Sequence, residues 1–533
     1  MKLVPVLALA LVAAPLAAQT EATRAARAVS ADVYRSHLGF LSDDLLEGRA
    51  PGRRGGLLAA RYIAAQFERL GLEPAGDSGT YYHRVPIIAL DPSPTLQLGS
   101  AAPLSYKDDY VLWSMRDEPA VTVEGEAVFV GHGIVAPEYQ WDDYAGADVK
   151  GRIVVVMVND PGLRDSTIFR GRILTYYGRW TYKIEEAARH GAAGILLLRT
   201  TETATYGWPT VAGSWTGPQV RIEKPATSLV VAGWLSGKAS EALFAAAGKD
   251  LNALTAAAYR RGFKAVPLGV TVKAEVRSTI RRSETANVVA RLPGRGPLAD
   301  QAVIIGGHYD HLGTGLPVKG DSIYNGAEDN ASGTAGVLAA AEALVRSGVR
   351  PARSIVFMGI AAEESGLLGA QAYVERPTVP LTRIAAMLNM DVMNLYGRTR
   401  DIAALGTDLS SLGPVFRQAA AAEGMRVSVN EGALIRGAFF RSDHFPFAKG
   451  GVPALSVEPG TDFVGRPAGW GEKQRDEYGT NRYHQPADEL LPWFSMDGAI
   501  QQLRVIVRTA LAVANTPAMP KWNPGTEFSG VRR

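Results

Sequence analysis

The sequence predicts an α/β protein: a mostly parallel central sheet flanked by helices, with a separate β-rich domain inserted into the chain. Three observations lead there. From about Val303 onward, short apolar runs alternate with helical patterns, as expected for parallel strands joined by helices. Between about 116 and 265 the chain is instead dominated by strand-like runs. Finally, 533 residues exceed what one hydrophobic core usually covers, so two or more domains are expected.

Taken in order, the chain opens on a segment that reads as a signal peptide. Met1-Lys2 gives a positive start, Leu3 to Leu16 is apolar, and Ala17-Ala18 are small. Pro5 and Pro15 argue against a buried helix there, and the run is short for a membrane span. Phe40 to Asp44 leads into a Gly/Arg-rich loop, Gly48 to Gly56. A helix follows with Ala59, Ile63, Phe67 and Leu70 on one face and Gly71 as its stop. In the middle block, Ala127 to Val130, Ile153 to Val158 and Gly194 to Leu198 read as strands, and Tyr182 to Arg189 as a helix. Further on, 303–306, 354–359, 385–390 and 454–457 are strands, while 333–346 and 366–374 are helices. Ile500, Leu503, Val507, Leu511 and Ala514 mark a last helix, and the Pro/Gly-rich stretch 517–533 is expected to be loose.

Composition excludes several classes. The chain is 47% hydrophobic and 20% charged with a net charge of +3, so it lacks the basic stripe of a nucleic-acid binder. No further stretch approaches about 18 uninterrupted apolar residues, so no membrane span is expected after the first segment. There are no cysteines, which removes disulfides, thiolate metal ligands and cysteine nucleophiles.

Chemistry concentrates at the strand ends, where open α/β sheets place their sites. One strand runs into Gly307-His308-Tyr309-Asp310-His311. Glu328-Asp329-Asn330-Ala331-Ser332-Gly333 precedes a helix. Another strand ends in Glu363-Glu364-Ser365-Gly366, and a third in Asn389-Met390-Asp391. Tyr483-His484 comes later, on a loop. Singly, Asp329 could be a helix cap and Glu363-Glu364 a solvated pair. Together His308, Asp329, Glu364, Asp391 and His484 form a mixed nitrogen and oxygen set suited to two zinc ions sharing a carboxylate.

This ordered motif set resembles the co-catalytic zinc exopeptidases, which include bacterial leucyl-type aminopeptidases, glutamate carboxypeptidase II and the metal-free transferrin receptor. Leu41-Ser42-Asp43-Asp44-Leu45-Leu46-Glu47-Gly48-Arg49 matches their N-terminal segment. Asp148 to Val155 and His190 to Gly194 look like the protease-associated domain that many of them carry inserted. After the signal peptide read at 1–18, the resemblance implies the N-terminal part of the peptidase domain at 19–115 and a protease-associated domain at 116–265. A catalytic domain at 266–515 and a tail at 516–533 follow. It further implies a zinc-dependent exopeptidase acting on peptides, an aminopeptidase first and a carboxypeptidase as the alternative, and the signal peptide implies export to the periplasm or secretion.

Carried over by position, His308 and Asp391 would bind one zinc, Glu364 and His484 the other, and Asp329 both. Asp310 would fix the imidazole of His308, and the Asp329–Asn330 peptide bond would be cis. Glu363, beside a ligand but free, would be the general base. Tyr483 would donate to the oxyanion, and Arg441 would position substrate. His311 and His444 have no ligand slot and read as structural.

Alternatives are weaker. Gly76-Asp77-Ser78-Gly79 copies a serine-protease nucleophile motif but lies in a turn outside any two-barrel pattern. No His-Glu-x-x-His occurs. A glutaminyl-cyclase-like acyltransferase would use one zinc, and a receptor-like binding protein would lose ligands. Aminopeptidase and carboxypeptidase remain open against each other, as do side-chain preference and oligomeric state.

Overall fold

A computed structural model describes residues 20–200, 203, 207–223 and 227–531. The signal-peptide stretch 1–18 lies outside the described residues. The chain divides into two compact units. One comprises residues up to 85 with 284–430 and 441–533, and the other comprises 86–283 with 431–440.

The first unit is built on four parallel strands, side by side in the order Ser354–Ile360, Ala302–His308, Ile384–Met390 and Ala454–Pro459. Asp401–Leu405 runs antiparallel to the last of these, and Arg426–Ser428 lies beyond it. At the other edge, residues 288–292 of strand Val266–Leu292 pair antiparallel with Ser354–Ile360. The first three parallel strands are buried along their whole length. That is why they read as continuous apolar runs rather than alternating ones: helices cover both faces. Val303, Ile305, Phe357 and Leu388 share a core with Val337 and Leu338 of helix Ser332–Arg346 and with Leu503 and Val507 of helix Asp497–Asn515. Helices Leu368–Glu375 and His444–Lys449 pack together, and the latter also packs on strands Ile384–Met390 and Ala454–Pro459.

Helices Ala31–Leu41 and Arg54–Arg69 complete this core with Tyr34, Leu38, Ala59, Ile63 and Phe67. The second helix begins inside the stretch expected to be a loop. Gly55 and Gly56 belong to its first turn, because any Cβ there would strike the carbonyls of Leu46 and Ala50. Between the two helices, Asp44–Arg49 forms a short 3-10 turn in which Glu47, Gly48 and Arg49 all have positive φ, at 50, 65 and 54°. A side chain at Gly48 would meet the carbonyls of Tyr324 and Gly313.

In the second unit, strands Ala120–Phe129, Ile153–Met157, Gly194–Leu198 and Val231–Leu235 are parallel neighbours. Tyr110–Ser114 pairs antiparallel at one edge, outside the expected 116–265 range, and residues 266–277 pair at the other. Its two apolar clusters contain alternate strand residues: Val155 and Leu196 belong to one, Val154 and Ile195 to the other. Helices Trp180–Arg189 and Gly237–Ala246 make this unit α/β rather than purely β-rich.

The C-terminal stretch is not loose. Trp522 and Phe528 are buried, and Trp522 Nε1 donates to Gly451 O at 3.1 Å. No helix among the described residues is long and apolar enough to cross a membrane.

Candidate metal centre

The motif residues converge at the carboxyl ends of the parallel strands of the first unit. His308 is the last residue of its strand, Asp391 follows directly on Met390, and Glu363 and Glu364 lie just beyond Ile360. Asp329 sits in the irregular turn Ala327–Ala331 ahead of helix Ser332–Arg346, and its peptide bond to Asn330 is cis, as expected. His484 arrives on the loop after helix Trp470–Asn481, with φ at 58°.

Two clusters of ligand atoms result. His308 Nε2 lies 3.3 Å from Asp329 Oδ1 and 3.2 Å from Asp391 Oδ1. His484 Nε2 lies 3.3 Å from Asp329 Oδ2 and 3.1 Å from Glu364 Oε2. Asp329 therefore turns one oxygen to each histidine. A tetrahedral ion with bonds of about 2.0–2.1 Å separates its ligand atoms by about 3.3 Å, so both spacings fit zinc. Each cluster offers three protein atoms and leaves a fourth position open, as catalytic zinc sites do. Among the described residues, the side-chain ion-pair partners of Asp329, Glu364 and Asp391 are histidines, whose neutral rings can also ligate a metal.

The same carboxylates set the pKa values of the cluster. Burial alone would lower the pKa of His308, but Glu363, Asp391 and Asp329 raise it well above the ordinary value. His484 is likewise pushed up to about 10, as Glu364 and Asp329 outweigh burial. Glu363 is pushed well up, first by burial and then by Glu364, Asp391 and Asp443, with His308 opposing.

The supporting groups only partly match the sequence reading. Asp310 is fully buried beside His308, but the acceptor of His308 Nδ1–H is the backbone carbonyl of Asp310, at 3.2 Å. Its carboxylate accepts instead from the amides of Glu363, at 3.0 Å, and Glu364, at 3.3 Å. It therefore holds the Glu-Glu turn, because those amides are nearer than the imidazole, at 3.9 Å. His311 is more than structural. Its Nδ1 lies 2.7 Å from Glu364 Oε1, leaving Oε2 for the His484 cluster. His311 also lies close enough to Asp329 and Glu364 for the three to share an ion. The place three residues after His308 was the only sequence signal of this. His444 is buried in the helix His444–Lys449.

Two further residues went unsingled in the sequence. Asn330 Oδ1 accepts from Gly333 N and Val392 N, and its Nδ2 donates to Met390 O, tying the Asp329 turn to the strand end at Asp391. Asp488 accepts from the amides of Glu328 and Asp329.

Glu363 shares a ligand-atom cluster with His308 and Glu364, within 4.8 Å, and its side chain forms no ion pair among the described residues. Tyr483 stacks on His484 with ring centroids 3.9 Å apart. Although the residue is 47% exposed, burial on its inner side and the carboxylates of Asp329, Glu364, Glu363 and Asp391 keep its phenol protonated. Arg441 is exposed, and the structure does not bring it into the cluster; its neighbour Ser442 accepts from Asn389 Nδ2 at 2.7 Å. Ser78 lies on a turn with φ at 53°.

Residues 287–507, which carry this whole arrangement, match the model of peptidase family M28. Over that segment the chain is similar to peptidase family M28. Leupeptin-inactivating enzyme 1 of Streptomyces exfoliatus is 29% identical to the chain over 209 residues, 38% of this chain and 43% of that enzyme. Leucine aminopeptidase 1 of Trichophyton rubrum is 33% identical over 110 residues, 20% and 28% of the two chains. The chain thus spans less than half the length of these relatives. Among solved structures, an aminopeptidase from Aneurinibacillus sp. strain AM-1 aligns at a TM-score of 0.47 with 20% identity, covering 93% of this chain and 97% of that one. BSAP, a zinc aminopeptidase from Bacillus subtilis, aligns at 0.43 with 18% identity, covering 94% and 97%.

Proposed function

We propose that this chain is a zinc-dependent aminopeptidase of the M28 kind that removes residues from the N-terminus of peptides and holds two zinc ions. The observation that carries the reading is Asp329, whose two oxygens each stand 3.3 Å from a different histidine. His308 and Asp391 would complete one ion's set, and His484 and Glu364 the other's. Bound there, zinc supplies Lewis acidity, which lowers the pKa of water and polarises a peptide carbonyl.

The chain's own groups do the rest. Glu363 accepts the proton of the attacking water at a carboxylate oxygen and returns it to the leaving amine. The Asp310 carboxylate keeps Glu363 and Glu364 in place by gripping both amides. Tyr483, protonated beside His484, donates a hydrogen bond to the oxygen that gains charge as the carbonyl is attacked. Arg441, exposed and outside the ligand cluster, is assigned to substrate positioning. The names of the similar proteins, leucine aminopeptidase among them, support the N-terminal direction. Export is part of the same reading, supported by the apolar stretch Leu3 to Leu16, and the second unit is assigned as a protease-associated insertion.

The test compares a leucyl peptide with its N-terminally acetylated form, before chelation, after it, and after zinc is restored. Zinc-dependent cleavage of the free peptide alone is expected. Cleavage of the blocked peptide from its other end would make the chain a carboxypeptidase, and activity indifferent to complete metal removal would end the zinc reading.

A further inference from the structure

The motif Leu41 to Arg49 has no part in the chemistry above, yet it ends in a fully buried arginine. Arg49 forms no ion pair among the described residues. Its guanidinium donates instead to four backbone carbonyls: Nε to Tyr309 O at 2.7 Å, Nη1 to Leu41 O and to Asn325 O at 2.5 Å, and Nη2 to Gly326 O at 2.8 Å. Tyr309 separates His308 from Asp310, and Gly326 lies three residues before Asp329. One planar fork thus ties the end of the first helix to the segment bearing His308 and to the turn bearing Asp329. The motif grips that turn a second time, because Asn325 Nδ2 donates to Ser42 O at 3.0 Å and to Asp44 Oδ1 at 2.7 Å. The three consecutive positive-φ residues carry Arg49 into this position.

The charge has its own consequence. Burial lowers the pKa of Arg49 to about 10, opposed by Asp310, Asp488, Asp329 and Glu364, so the group stays cationic at neutral pH. A fixed cation that feels these carboxylates offsets their mutual repulsion. Lysine, with three donors on a single atom, cannot reproduce the fork.

We propose that Arg49 is the positioning residue of the metal centre, fixing the spacing of His308 and Asp329 through the Tyr309, Asn325 and Gly326 carbonyls and offsetting the charge of the carboxylates around them. This rests on the zinc reading above. Acting through the segments that carry ligands, it sets how tightly zinc is held, in the range by which outer partners of metal ligands act.

The experiment measures zinc affinity of the full chain by competition with chelators of graded strength, for the wild type, Arg49→Lys, Arg49→Met and Phe67→Leu. Phe67 is buried in the helix Arg54–Arg69 with its ring beside that of Phe357, so that variant reports general destabilisation. Arg49→Met is expected to hold zinc about 10- to 100-fold more weakly, and Arg49→Lys to fall between it and the wild type. Phe67→Leu should lower the thermal midpoint and leave zinc affinity unchanged. Should Arg49→Met fail to fold, Arg49→Lys decides alone. A folded Arg49→Lys with wild-type affinity, or an equal loss in Phe67→Leu, would overturn the proposal. A wild-type chain that takes up no zinc is a different result, and removes the metal reading itself.

Discussion

The Asp488 carboxylate accepts the backbone amide of Asp329 at 3.0 Å, and its other oxygen accepts that of Glu328 at the same distance. Asp488 stands four residues after His484, so the loop that delivers one ligand also holds the turn of the bridging one. The Ala327 amide adds to this by donating to the backbone carbonyl of Asp488 at 2.9 Å.

Asp488→Asn should therefore weaken the centre without removing a ligand. One oxygen becomes an NH2 group facing an amide donor, which leaves a buried N–H unpaired at a cost of about 1–3 kcal/mol. Zinc affinity or turnover is expected to fall about 10- to 100-fold. Chelator competition and peptide hydrolysis check this, and an unchanged variant would remove Asp488 from the support of the site.

Glu363→Gln keeps the size of the side chain and every ligand. Zinc content should be unchanged by atomic absorption, while turnover falls about 10²- to 10⁴-fold for loss of an acid–base group. Zinc loss in this variant would show that Glu363 is a ligand instead.

Asp329→Ala and Asp391→Ala separate bridging from single ligation. The first should lower uptake of both ions, and the second mainly that of the ion beside His308. Titration of zinc into the apo chain distinguishes them. Two full equivalents bound by Asp329→Ala would contradict the bridging role.

His37 makes stability depend on pH away from the site. It is 5% exposed, its Nδ1 lies 2.9 Å from Tyr62 Oη, and burial lowers its pKa from 6.5 to about 4, with Arg69 adding to that and Glu342 opposing it. The unfolded chain binds the proton more readily, so stability is fully present above pH 6.5 and lost as pH falls toward 4. The loss amounts to roughly 3 kcal/mol. Urea unfolding of His37→Gln and wild type at pH 7 and pH 4.5 should show a smaller pH difference in the variant.

Much of this was legible in the chain itself. The strands at 302–308, 354–360 and 384–390 announce themselves because both faces are covered and nearly all of their residues are apolar. Four of the five ligand candidates could be picked out because each stands at the end of such a strand or beside a helix start, and His484 came from the motif on a later loop. Three features misled local reading. Gly55 and Gly56 read as loop residues, yet they open a helix that packs on the carbonyls of Leu46 and Ala50. The Pro-rich tail read as loose, yet Trp522 and Phe528 find partners far away in sequence. His311 read as structural because its partner, Glu364, lies 53 residues further on.

The sequence by itself determined the order of strands and helices, the apolar core and the identity of the groups able to bind metal, since these follow from local periodicity and from side-chain chemistry. Only the tertiary structure decided which oxygen of Asp329 faces which histidine, what Asp310 holds and where Arg49 reaches. Those relations are distances of about 3 Å between residues scores to hundreds of positions apart, and no local pattern encodes them.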